Sequence, residues 1–76
     1  MPKLRRATAE ETIRVPERLG FVQIRQKGSH IVLKKQVSEG EIVCVVPIHR
    51  QQLAVGTLRS IIRQAGITPD EFMAHL

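Results

Sequence analysis

His30 is the residue in this chain best suited to move a proton at working pH. It follows Gly28-Ser29, with Arg25 and Lys27 before it and Lys34 and Lys35 after it. An imidazole titrates near neutrality, so it can accept or donate a proton there. Cleavage of RNA by its own 2′-hydroxyl needs a base for that hydroxyl and an acid for the leaving 5′-oxygen. It also needs positive charge or donors around the crowded phosphate. One histidine framed by cations is a minimal set for that reaction. The same spacing fits a strand-end histidine that only hydrogen-bonds its turn, and on spacing alone this plainer role stands ahead.

The other candidates are weaker. His49 follows Pro47 and would approach His30 only if two strand ends meet at one edge. There it would carry a second proton, bind phosphate or simply fix the connection. His75 lies one residue from the C-terminus and reads as solvated. The three histidines and Cys44 show no ligand spacing such as C-x-x-C or H-x-x-x-H, and no Asp/Glu cluster suggests a two-metal nuclease. Cys44 sits in the apolar run Ile42-Val43-Cys44-Val45-Val46, which fits a buried, inert thiol. Gly56-Thr57-Leu58-Arg59 at a helix start fits a phosphate contact and a simple capped turn about equally, with Thr57 as the cap. Arg59 and Arg63 would either bind phosphate or form an exposed polar face. The chain has no Trp and no Tyr, and both Phe residues read as core. It therefore lacks platforms for stacking splayed bases, and backbone-directed recognition fits better.

The bulk numbers set the frame. Seventy-six residues make one domain, spanning 1–76. A domain of this size buries only about 60% of its unfolded surface, so the core is small. Chemistry must then sit on a surface or shallow groove. Twelve Lys and Arg against seven Asp and Glu give a net charge of +5, which favours a polyanionic partner. The single cysteine excludes an internal disulfide. The basic start Met1-Pro2-Lys3-Leu4-Arg5-Arg6 leads into polar sequence, not a secretory core. No apolar stretch approaches the roughly 20 residues of a bilayer span. A soluble protein of the reducing cytoplasm, with no membrane partner, is the expectation.

These residues must be held by a few short elements. Thr8-Ala9-Glu10-Glu11 predicts a capped helix from about Thr8 to Leu19, stopped by Gly20 and kinked or thinned at Pro16. Phe21 to Lys27 predicts a half-buried strand, Gly28-Ser29 a turn, and His30 to Lys35 the returning strand. Ser38-Glu39-Gly40 is a second turn, and Glu41 to Pro47 a third strand, antiparallel to the second. Ile48 to Val55 reads as a polar connection. Leu58, Ile61, Ile62 and Ala65 form one apolar stripe of a helix opened by Gly56-Thr57 and ended by Gly66. Thr68-Pro69-Asp70-Glu71 caps a short last helix. The order α-β-β-β-α-α predicts an α+β domain, a three-stranded antiparallel sheet with helices on one face. That is the layout of double-stranded-RNA-binding-like domains, an analogy of fold only.

Taken together, the segments resemble the HicA (YcfA-like) family of mRNA interferase toxins, from about Glu11 to Phe72. The segments that carry it are Leu19-Gly20-Phe21, Arg25-Gln26-Lys27-Gly28-Ser29-His30, Val46-Pro47-Ile48-His49, and Gly56-Thr57-Leu58-Arg59-Ser60-Ile61-Ile62-Arg63-Gln64-Ala65-Gly66. The resemblance implies the double-stranded-RNA-binding-like fold, endoribonucleolytic cleavage of mRNA, no metal or other cofactor, and neutralisation by a HicB-type antitoxin. It places the essential histidine at His30, with Gly28 and Ser29 shaping the turn and His49 in support. Arg25, Lys27, Lys34, Arg59 and Arg63 are then the expected RNA-binding cations. Pro16 departs from the family pattern, standing where a helix-compatible apolar residue is usual. Two other classes remain beside the toxin: a non-catalytic RNA-binding module, which would bind but not cut, and a protein-interaction domain whose basic face docks an acidic partner.

Overall fold

A computed structural model describes residues 4–48 and 52–76. The elements run β1 (Ala7–Thr8), α1 (Ala9–Arg18), β2 (Val22–Lys27), β3 (His30–Val37), β4 (Gly40–Pro47), β5 (Gln52–Leu53), α2 (Val55–Ala65) and α3 (Pro69–Ala74). Apart from two short strands, this is the expected α-β-β-β-α-α order. β2, β3 and β4 form one antiparallel sheet in that spatial order.

The helices begin where the capping chemistry places them. Thr8 Oγ1 accepts from the Glu11 backbone N–H at 3.0 Å, and Glu11 accepts from the Thr8 N–H at 2.9 Å. That donation holds the Glu11 carboxyl below the usual range, chiefly through the Thr8 backbone N–H. Thr68 and Glu71 repeat the same reciprocal pair at the start of α3. Pro16 does not end α1; the helix continues to Arg18 with Pro16 buried in it. Lacking an N–H, Pro16 leaves the Thr12 carbonyl without its usual helical donor. The buried Thr12 hydroxyl donates to Thr8 O at 2.8 Å.

The core is one contiguous cluster. It joins Val15 of α1, Phe21, Ile31 and Leu33 of β3, Cys44 and Val46 of β4, and the α2 stripe Leu58, Ile61, Ile62 and Ala65, closed by Phe72 of α3. Register explains the split between the faces of the sheet. Ile31 opposes Val46 and Leu33 opposes Cys44, so these pairs share the helix-covered face. Their neighbours alternate to the other face, which no helix among the described residues covers.

Three expectations require correction. β2 is exposed along its whole length, with Val22 at 63% and Ile24 at 48%. It is an edge strand, and its register with β3 shifts between Gln23 and Arg25, leaving Ile24 as the extra residue of a bulge. Val22 already opposes Lys34 on the open face ahead of the bulge, so the apolar positions of the alternation point away from the core. Secondly, part of the segment after β4 is not simple connection. Gln52 and Leu53 form β5, paired antiparallel with Thr8 and Ala7, and Leu53 and Ala7 are buried in the core. Thirdly, α2 is capped three residues before Thr57. Its N-cap is Ala54, with no side-chain cap bond, so Thr57 lies inside the helix. His75 is also less free than expected: its Nδ1 lies 2.9 Å from Glu71 O, and its carbonyl accepts from Arg18 at 2.8 Å.

Candidate functional site

The site begins with a two-residue turn. Lys27 and His30 are paired across β2 and β3, with Gly28 and Ser29 between them. Gly28 has φ +59 and Ser29 does not share the positive sign. That is the sign pattern of a type II′ hairpin turn, whose twist matches that of the flanking strands. Two hydrogen bonds hold the turn. Gln26 Nε2 donates to Gly28 O at 3.0 Å, and the Ile48 backbone N–H donates to Ser29 O at 2.7 Å. The first ties the turn to β2 and the second to the end of β4, so His30 leaves a turn braced from both flanks.

The open face of the sheet then assembles from register. Lys27 opposes His30, which opposes Pro47; Arg25 opposes Val32, which opposes Val45; Val22 opposes Lys34, which opposes Val43. Each row shares one face. His30, Arg25 and Lys27 are exposed. Val32 is 9% exposed although it lies outside the core cluster, because its row sandwiches it between Arg25 and Val45. The face is thus a shallow apolar strip bordered by Arg25, Lys27 and Lys34, with His30 at one end. Cations bordering a shallow strip can hold a phosphodiester backbone, and the imidazole beside them can exchange protons with it.

Lys34 is the qualified member of this group. Its Nζ lies 3.0 Å from Glu41 Oε2, and Gln36 Nε2 donates to the same oxygen at 3.1 Å. Hydrogen bonding and charge from Lys34 hold the Glu41 carboxyl below its ordinary range. Glu41 and Gln26 were not among the sequence candidates. The Ser38-Glu39 turn carries a signal for Glu41, since a two-residue loop puts Gln36 opposite Glu41 and Lys34 on the adjacent diagonal. Gln26 carries no such signal.

Arg59 and Arg63 are not part of this face. They are exposed on α2, whose buried stripe packs on the other side of the sheet. The expected RNA-binding set therefore divides into two groups on opposite layers. His49 lies outside the described residues. Cys44 is fully buried, and burial pushes its thiol up to about 11, so no thiolate is available. No group of three or more His, Cys, Asp and Glu that could hold a metal occurs among the described residues. Nor is any helix among them long and apolar enough to cross a membrane.

No curated protein matches the chain. A family model described as the HicA toxin of bacterial toxin–antitoxin systems matches residues 9–67. That span runs from the first residue of α1, through the whole sheet, to the residue after the Gly66 cap of α2. With this match over most of its length and its α+β architecture, the chain belongs to the HicA toxin family of bacterial toxin–antitoxin systems.

Proposed function

We propose that this toxin is a metal-independent endoribonuclease that cuts mRNA on the open face of its sheet, with His30 as the proton-transferring residue. A HicB-type antitoxin neutralises it. The observation that carries this reading is the pairing of His30 with Lys27 across a braced type II′ turn, with Arg25 further along the same face. The family match supports the toxin role and an antitoxin partner.

In the reaction the 2′-oxygen attacks the adjacent phosphorus and the bond to the 5′-oxygen breaks. This gives a 2′,3′-cyclic phosphate and a free 5′-hydroxyl. The imidazole of His30 either takes the 2′-hydroxyl proton or supplies one to the 5′-oxygen, with water completing the other transfer. Lys27 and Arg25 answer the charge that builds on the non-bridging oxygens. Gly28 and Ser29 fix the turn from which His30 projects. Lys34 binds the backbone further along the strip once it exchanges Glu41 for phosphate.

The test compares wild type with His30→Ala on a long single-stranded RNA, following fragments and binding in parallel. The variant should lose cleavage by about 10²-fold or more while keeping RNA affinity. Growth arrest should vanish with it, and co-expression of a HicB-type protein should suppress arrest by wild type. Unchanged cleavage by His30→Ala would overturn the catalytic assignment. RNA that stays intact with wild-type protein would instead make the chain an RNA-binding module.

A further inference from the structure

A second site lies on the opposite layer from His30. Arg59, Ile62, Arg63, Ile67 and Pro69 line a pocket of about 310 Å³ between α2 and α3. Its construction follows from the end of α2. Gly66 adopts φ +73, ψ 28, the left-handed conformation that suits glycine, and the Ile67 N–H donates to Ile62 O at 3.2 Å. This reversal folds Ile67 back toward Ile62, one turn inside the helix, so both contribute to the lining. Pro69, the first residue of α3, adds the far wall. The apolar part is thus a fixed product of the helix end.

Arg59 and Arg63 complete the pocket. They stand four residues apart, about 6 Å along the helix axis, on one flank of α2. Neither is joined to an acidic residue by an ion pair among the described residues. The other flank of α2 serves the sheet, where Gln64 Oε1 accepts from the Val45 N–H at 3.0 Å and covers the free edge of β4. The arginine flank makes no equivalent contact with the fold among the described residues.

We infer that this pocket binds an acidic helical peptide segment that places one large apolar side chain between two carboxylates. Two guanidiniums one helical turn apart match carboxylates at positions i and i+4 of a facing helix. An apolar residue at i+3 then lies on the same stripe and enters the space over Ile62 and Ile67. A phosphate chain would use the arginines but has nothing to set against the apolar lining, and charge complementarity with an apolar anchor favours a peptide. The site lies on the layer opposite His30, so its occupant holds the toxin without itself filling the RNA face. It rests on the proposed function only in that the antitoxin is the natural bearer of such a segment.

The test uses a fluorescein-labelled helical peptide containing one Glu-Ala-Ala-Leu-Glu step. Its controls carry Gln for both Glu residues or Ala for the Leu. Anisotropy gives affinity, and amide chemical shifts of the full chain locate the contact. The peptide should bind saturably and shift amides around Ile62, Ile67 and Pro69. Both control peptides should bind about tenfold or more weakly, as should the double variant Arg59→Ala/Arg63→Ala. His30→Ala should bind like wild type. Absence of binding, a shift confined to the β2–β3–β4 face, or tolerance of the double variant would overturn the proposal. So would a double variant that loses affinity for single-stranded RNA, because the pocket would then be a phosphate site. RNA cleavage by the double variant is read separately: it should persist, and its loss together with loss of RNA binding also counts against the proposal. If wild type fails to cleave RNA but binds the peptide, the ribonuclease reading falls and this one stands.

Discussion

Lys34 is the cation on the His30 face whose charge is already answered. Its partner Glu41 is 47% exposed and shares one oxygen between Lys34 and Gln36. An RNA backbone must displace this carboxylate before Lys34 can serve it. Glu41→Gln should therefore tighten RNA binding at low salt and steepen the salt-dependence slope by up to about 0.7, the contribution of one full phosphate contact on a single strand. Binding isotherms across a salt series measure both, and an unchanged slope would show that Lys34 never touches RNA. Cys44 yields a prediction about pH. Burial raises its thiol from 9.0 to about 11, so the unfolded chain ionises first as pH rises. The stabilisation from keeping the thiol protonated is complete below about 9 and is lost as pH climbs toward 11. With no Tyr in the chain, no phenol titrates in the same window. Denaturant midpoints from pH 8 to 11 should fall in wild type, and more steeply than in Cys44→Ala. Native Cys44 should also resist alkylation until the domain unfolds.

At the scale of elements, the β2–β3 hairpin decides whether His30 is presented correctly. Gly28 has open space where a Cβ would stand, so the cost of Gly28→Ala is conformational. It should destabilise the domain by about 1–2 kcal/mol and lower RNA cleavage further than the stability loss alone explains. Thermal melts and cleavage rates below the melting range separate these effects. Gln26→Ala, which removes one brace of the turn, should reduce cleavage while leaving stability nearly unchanged. The turn was legible in the sequence because Gly-Ser between two β-rich runs has a mechanism, a positive φ at the first position. The two capping boxes and the α2 stripe were legible for the same reason, since each is a local rule. Three features were not. β1 and β5 are two residues each and exist only because distant segments meet, which no local pattern encodes. β2 is an edge strand whose Val22 faces the open side through its pairing with Lys34, so alternation in the sequence misreported its burial. The start of α2 at Val55 has no side-chain cap to announce it. In the site, His30, Lys27 and Arg25 came together because a tight hairpin fixes their register. Arg59 and Arg63 separated from them because the side of the sheet on which α2 packs is a tertiary fact.

The whole molecule is a thin plate, 31 × 31 × 17 Å across its Cα positions, and its cations serve different layers. A net charge of +5 treated as one uniform field would predict that any lost Lys or Arg weakens RNA binding alike. The two-layer arrangement predicts otherwise. Arg25 and Lys27 on the His30 face carry no ion pair among the described residues, while Lys34 is half-committed to Glu41. Arg59 and Arg63 look away from that face. Each phosphate contact on a single strand contributes about 0.7 to the slope of log affinity against log salt. Two full contacts and a partial one give a slope between about −1.4 and −2.1 for wild type. Lys27→Ala and Arg25→Ala should each bring it down by about 0.7, uniformly across RNA sequences. Arg59→Ala/Arg63→Ala should weaken RNA binding only slightly, by the loss of distant charge. That residual effect should disappear at salt concentrations where the screening length falls below the thickness of the plate. A slope reduced by about 1.4 in the double arginine variant would mean that RNA wraps from the sheet face around to α2. The plate would then be gripped on both sides, and the separation of an RNA face from a peptide face would fail.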